Sequence, residues 1–254
     1  MKKLAKNLLA RAGYDINRRP QPIYGDGDAF DRNLAVVRAS TMLPEARLVS
    51  LNDQVVFCDR HGIEGAFVEC GVWKGGAVGL MALAASEPKT RPLHLFDAFT
   101  DICEPDPAVD GAKAVEEASR IAAPVGRLKP MEGIYDSIGG HGTLEECRAL
   151  IERTIGYPAD RVHYHVGWFQ DTVPQDAASI GPVAILRIDG DWYASTKVCL
   201  DHLFDKVVPG GFVIIDDYGT YEGCRKAVDE FLAQSGVAAF LHRVDNGCHY
   251  FVKA

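Results

Sequence analysis

Four short apolar runs in this chain each finish on or beside a carboxylate, and helix-forming segments lie between them. They are GAFVECGVW (65–73), PLHLFDAF (92–99), VAILRID (183–189) and GGFVIIDDY (210–218). A fifth, RVHYHVGWF (161–169), ends instead on glycine and aromatics. Runs this short and this continuously apolar need cover on both faces, which strands of a parallel sheet receive and strands with one wet face do not. The intervening segments KGGAVGLMALAAS, STKVCLDHLFDKV and GCRKAVDEFLAQSG have helical character. Alternation of this kind predicts a doubly wound α/β sheet. The closing AFLHRVDNGCHYFVKA reads as two strand pieces joined through DNG, a hairpin signal that adds an antiparallel strand at the C-terminal edge.

Around this core the sequence predicts a helical extension over 1–60 and one large domain over 61–254. In the extension, Leu4, Leu8, Leu9 and Ala12 share a helical face, read as a packing or oligomer contact and hence a homodimer. Residues 17–30 are loop-like, and Asp31 to Arg60 reads as one helical stretch. Residues 100–142 break the rhythm with several prolines and glycines around one Ala-rich helical piece. A connection so long is expected to be a lid. Directly after it, Thr143 and Glu146 have capping-box spacing.

Composition narrows the function. A net charge of −8 without a basic run argues against nucleic-acid binding, which needs a positive face. The seven cysteines are scattered, with no C-x-x-C pair, as expected of reduced thiols in a cytoplasmic protein. No stretch approaches the roughly 20 apolar residues of a membrane span. Lys6, Asn7 and Arg11 interrupt any signal-peptide core.

Ligands of open α/β sheets bind beyond the carboxyl ends of the strands. Those ends here carry Glu69-Cys70-Gly71, Asp97, Gly167-Trp168-Phe169, Asp189-Gly190-Asp191 and Asp216-Asp217. So many acids on one rim require a cation or a ligand rich in donors. The first turn, ECGVWKGGA, lacks both the G-x-G-x-x-G of dinucleotide sites and the G-K-[ST] of a phosphate loop. That argues against a nicotinamide-dependent oxidoreductase. Asp97 is placed to hold ribose hydroxyls, Glu69 to accept from a ligand ammonium, and Gly71 to let backbone approach the ligand. Together they point to S-adenosylmethionine. Asp189, Asp216 and Asp217, on strand ends expected to be neighbours, form an oxygen-rich set suited to Mg²⁺. Asp191 is then free to act as general base. A purely structural alternative leaves Asp216-Asp217 as a helix cap. A non-catalytic S-adenosylmethionine-binding protein would not need three metal acids and a spare base.

The combination FVECGVWKGGA, LHLFDAF, GWFQDTVP, LRIDGDWYAST and PGGFVIIDDY, with TMLPEARL (41–48) upstream, resembles the TylF/MycF-type macrocin O-methyltransferases. The resemblance runs from about Thr41 to Asp229, with 100–142 and the first 40 residues matching poorly. It implies a Rossmann-like class I fold and a Mg²⁺- and S-adenosylmethionine-dependent enzyme acting on a sugar hydroxyl of a glycosylated small-molecule acceptor. It also implies that Glu69, Gly71, Val72 and Trp73 line the methionine end and Asp97 holds the ribose. Asp189, Asp216 and Asp217 would hold the metal, and Asp191 would be the base. GWFQD is similar to the adenine-side loop of catechol O-methyltransferases, which places Trp168, Phe169 and Gln170 against the base of the cofactor. A phenol or catechol O-methyltransferase is the alternative within enzymes. Those proteins favour a lysine near the metal-bearing strand end, where this chain has Asp191 and Trp192.

Outside this set, His163 and His165 read as core or rim, and His141 as part of a flexible loop. Trp192 and Tyr193 wall the acceptor pocket if they follow the metal, and otherwise belong to the core.

Overall fold

The computed structural model describes residues 20–86, 89–121, 125, 126 and 128–254. The amphipathic face expected at Leu4, Leu8, Leu9 and Ala12 lies outside the described residues. Among the described residues, seven strands form a single sheet in the order β3-β2-β1-β4-β5-β7-β6. They are β1 (Ala66–Cys70), β2 (Leu93–Asp97), β3 (Val162–Val166), β4 (Val183–Ile188), β5 (Val207–Ile215), β6 (His242–Arg243) and β7 (His249–Val252). The first five pair in parallel. β7 runs antiparallel to β5 and to β6, as the DNG hairpin signal predicts.

Alternate residues along the strands feed two apolar cores, one per face. Phe67, Leu95 and Ile185 pack on one side with α1 (Gly27–Val37), α2 (Glu45–Arg60) and α3 (Gly76–Ala84). Val68, Phe96, Leu186 and Val213 pack on the other with α6 (Phe169–Asp176), α7 (Tyr193–Leu203) and α8 (Glu222–Ser235). Every residue of β1 and of β4 is buried, which explains runs without polar alternation. All seven cysteines are buried and outside any disulfide, six of them within these cores. Among the described residues, no helix is long and apolar enough to cross a membrane.

The chain winds outward from β1 through β2 to β3, then crosses back to β4 and out to β5. The reversal falls between β1 and β4, where open α/β sheets leave a crevice at their carboxyl ends. Gly71 sits there with φ +92, and a Cβ on it would lie 2.0 Å from the carbonyl oxygen of Asp189. Only glycine lets the two strand ends approach so closely.

One expectation changes. The stretch from Asp31 to Arg60 is not one helix, because residues 38–44 separate α1 from α2. Pro44 disfavours helical backbone at Leu43 and caps α2 instead. Arg38 ties the break by donating to the carbonyls of Thr41 and Leu43. The described residues of 100–142 form a cover tied at several points to the sheet and its turns, and α4 (Gly111–Ile121) is the one α-helix among them. The capping box of Thr143 and Glu146 opens α5 (Leu144–Arg148) as expected, and the helix continues as a π-turn over Ala149–Thr154.

Candidate active site

The crevice between β1 and β4 opens into a cleft of about 890 Å³, counted with its open, solvent-filled side. Gly71, Trp73, Asp97 and the turn Gly167–Gln170 line one part, and Asp189–Asp191 another. Asp101, Ile102, Cys103, Tyr135 and Gly142 close it from the cover. Met42, 49% exposed, reaches its mouth from the break between α1 and α2.

The expected neighbours meet. β4 pairs with β5 in a register that sets Ile188 opposite Ile215, so Asp189 and Asp216 follow side by side. Asp189, Asp191 and Asp217 bring carboxylate oxygens within 4.8 Å of one another. Asp217 is 7% exposed, and its Oδ2 has no hydrogen-bond partner. Burial, then the neighbouring acids, hold the carboxyl groups of Asp191 and Asp217 well above the ordinary carboxylate range. Three acids this close cannot all ionise without a counter-charge. Asp191 also has φ +52, a left-handed conformation unusual for a residue with a Cβ. Trp73, at the same cleft, shares the feature with φ +49. Such backbone conformations gather at functional sites.

Asp216 points elsewhere. Its Oδ1 lies 2.7 Å from Arg187 Nη2, an ion pair without hydrogen-bond alignment, and its Oδ2 accepts from Arg47 Nη1. Arg187 also donates to Glu69 Oε1 at 2.7 Å and Asp189 Oδ2 at 3.0 Å. Burial works against the charge on Arg187, but Asp216, Asp189 and Glu69 outweigh it and keep the guanidinium protonated. The acidic rim therefore rests on a buried cation, and Arg47 couples it to Asp245 in the C-terminal hairpin.

Glu69 does not reach the cleft. It is 0% exposed, and its oxygens accept from Val78 N and Arg187 Nη1. Facing the core as a strand residue, it fixes the start of α3 rather than a ligand ammonium. Val72 is likewise buried. Asp97 lines the cleft and accepts three backbone N–H groups, from Val72 and Trp73 on Oδ2 and from Phe99 on Oδ1. With two lone pairs on each oxygen, one acceptor position remains on Oδ1. Trp168, Phe169 and Gln170 line the cleft where β3 turns into α6.

Trp192 donates from Nε1 to the Cys103 carbonyl at 2.8 Å, and Tyr193 donates from its hydroxyl to Glu230. Neither lines the main cleft; Trp192 packs with Cys103 and Ala114 beneath the cover. His165 is buried, bonded at 3.1 Å to His94 and at 2.7 Å to Asp176, while His163 stacks on His94. His141 lies 3.5 Å from Asp101. Sequence reasoning did not single out Arg47, Tyr135 or Met42. Arg47 and Met42 lie within TMLPEARL and were within reach of that match, whereas Tyr135 sits in irregular chain that carries no periodic signal.

Fold and cleft define a class I methyltransferase architecture. Residues 26–128 and 144–253 match the family described as Macrocin-O-methyltransferase (TylF). Over 250 residues the chain is 34% identical to the 8-demethyl-8-(2,3-dimethoxy-alpha-L-rhamnosyl)-tetracenomycin-C 4'-O-methyltransferase of Streptomyces olivaceus, covering 96% of this chain and 87% of that one. It is 33% identical over 215 residues to the demethyldecarbamoylnovobiocin O-methyltransferase of Streptomyces niveus, covering 84% and 75% respectively. Among solved structures, the O-methyltransferase NovP superposes with a TM-score of 0.70 at 29% identity, each chain covered completely. This chain belongs to the macrocin O-methyltransferase family. The match is wider than Thr41 to Asp229: it begins at residue 26 and takes in the cover as far as 128, leaving 129–143 unmatched between its two segments.

Proposed function

We propose that this protein transfers the methyl group of S-adenosylmethionine to a sugar hydroxyl of a glycosylated natural product, with Mg²⁺ at the acidic rim. The observation that carries the reading is the group Asp189, Asp191 and Asp217, of which Asp189 and Asp191 line the same cleft as Asp97 and the Gly167–Gln170 turn. The two relatives described above are named for O-methylation of antibiotics, one of them a rhamnosyl compound, which supports the acceptor class.

The residues present fit a hard divalent cation. All donors are carboxylate oxygens, and Asp217 Oδ2 is buried without a partner. Asp189 and Asp217 would hold the ion. Asp216, beside Asp189 on the neighbouring strand, would join them by exchanging an arginine for it. When bound, Mg²⁺ supplies Lewis acidity that eases loss of a hydroxyl proton. Asp191 would receive that proton and, with the wall of the cleft, orient the acceptor oxygen. Asp97 would accept from a ribose hydroxyl, Gly71 and Trp73 would flank the methionine end, and Trp168, Phe169 and Gln170 would flank the adenine. Glu69 and Val72 would act from below, by shaping the turn that carries Gly71 and Trp73.

Calorimetry with S-adenosylhomocysteine tests the cofactor half of this reading. Asp97→Ala should weaken binding by roughly 1.5–3 kcal/mol, the scale of hydrogen bonds to a charged group. Because Asp97 also clasps the amides of Val72, Trp73 and Phe99, thermal unfolding without ligand should accompany the titration. Unchanged affinity in the variant would reduce Asp97 to a clasp for this turn.

A further inference from the structure

Tyr135 stands in the stretch 129–143, between the two segments that match the family. That stretch is firmly tied to its surroundings. Met131 is buried and donates its amide to the Ile102 carbonyl at 2.9 Å, and Gly133 N donates to Asp101 Oδ2 at 3.2 Å. Further on, Trp73 Nε1 donates to the Gly140 carbonyl at 3.1 Å and Lys74 Nζ to that of Gly139 at 2.8 Å. The carbonyl of Tyr135 itself accepts from the amides of Ile138 and Gly140. Backbone fixed on both sides thus carries this ring into the cleft, where it shares the wall with Asp97, Asp189 and Asp191.

The phenol is half-buried, and its hydroxyl has no hydrogen-bond partner among the described residues. Burial and the charges of Asp191, Asp189 and Asp97 hold it well above its ordinary range, so it is an O–H donor at neutral pH. The cleft has an opposite bias. Ionised carboxylates can only accept, whereas every sugar hydroxyl both donates and accepts. An acceptor sugar resting on Asp191 would satisfy the carboxylates with its protons and still need donors for its remaining oxygen lone pairs. A buried acceptor left unpaired weakens binding.

We propose that Tyr135 is an acceptor-binding residue, its hydroxyl donating to an oxygen of the sugar that lies against Asp191. This rests on the reading of the cleft as a sugar O-methyltransferase site and adds a specificity determinant to it. The donor acts on ground state and transition state alike, so its loss falls on KM rather than kcat.

The test is steady-state methylation of 4-nitrophenyl α-L-rhamnopyranoside by the full chain with S-adenosylmethionine and Mg²⁺, comparing wild type, Tyr135→Phe and Tyr135→Ala. Tyr135→Phe should raise KM for the rhamnoside about tenfold, the scale of one neutral hydrogen bond, with kcat within about threefold. Its affinity for S-adenosylhomocysteine by calorimetry should stay within about twofold of wild type. Tyr135→Ala, which also removes the ring, should raise KM further. An active wild type whose KM is unchanged by Tyr135→Phe overturns the proposal alone, as does a Tyr135→Phe effect confined to cofactor affinity. A wild type that binds S-adenosylhomocysteine yet leaves the rhamnoside unmethylated overturns the choice of a rhamnose-type acceptor, and this assignment with it.

Discussion

Asp191→Asn is expected to lower kcat by about 10²–10⁴, the usual share of general-base catalysis. The sulfonium methyl is already a strong electrophile, so the protein's task is to align an oxygen behind it and help remove that oxygen's proton. A sugar hydroxyl is a poor acid, and a base at the right place makes a large difference. Asp191 lies within the carboxylate group of the cleft, and its left-handed backbone turns the chain directly after Gly190. The amide keeps the shape of the side chain and removes its proton affinity. Asparagine also tolerates the left-handed region better than most residues, so the fold should be unaffected. Affinity for S-adenosylhomocysteine should therefore hold while turnover falls. A variant with near-normal kcat over pH 6–9 would move the base elsewhere in the cleft.

The second large effect is expected on metal removal. EDTA should abolish turnover, and added Mg²⁺ should restore it. Asp217→Ala should reduce kcat by at least about 10³-fold, because it deletes the carboxylate whose buried oxygen has no protein partner. The same substitution removes one of several crowded, buried acids, so in the metal-free protein it should leave the melting temperature unchanged or raise it. This opposite response of stability and activity separates a ligand from a structural cap. If Asp217 capped the helix after it, the variant would melt earlier and keep much of its rate. Full turnover in EDTA would remove the cation from the mechanism.

Much of this arrangement was legible from the residues because the strands are buried on both faces. Continuous apolar runs ending in acids locate the carboxyl ends of the sheet, and the carboxyl ends locate the cleft. The pairing of β4 with β5, which brings Asp189 beside Asp216-Asp217, follows from the same winding. What the sequence did not disclose is where each carboxylate turns. Glu69 and Asp97 both close strands, yet Glu69 faces the core toward Arg187 and Val78 while Asp97 stays at the cleft. The choice depends on strand parity and on a guanidinium supplied by β4. Asp216 is likewise set by Arg47, which arrives from a helix 169 residues earlier in the chain. Pro44 broke the helix that periodicity alone carried through to Arg60. Tyr135 lies in chain whose path is fixed by tertiary hydrogen bonds rather than by repeat or propensity, and such a position has no local signature.

The central claim is methyl transfer from S-adenosylmethionine to a sugar hydroxyl in this cleft. Its most direct test is incubation of the full chain with methyl-labelled S-adenosylmethionine, Mg²⁺ and a panel of glycosides that includes rhamnosides and matched catechols, read by mass spectrometry. The account predicts a one-methyl gain, carrying the label, on a glycoside at a sugar oxygen, lost in EDTA and in Asp191→Asn. Label appearing only on the catechols, or on no compound while S-adenosylhomocysteine binds tightly, would contradict it.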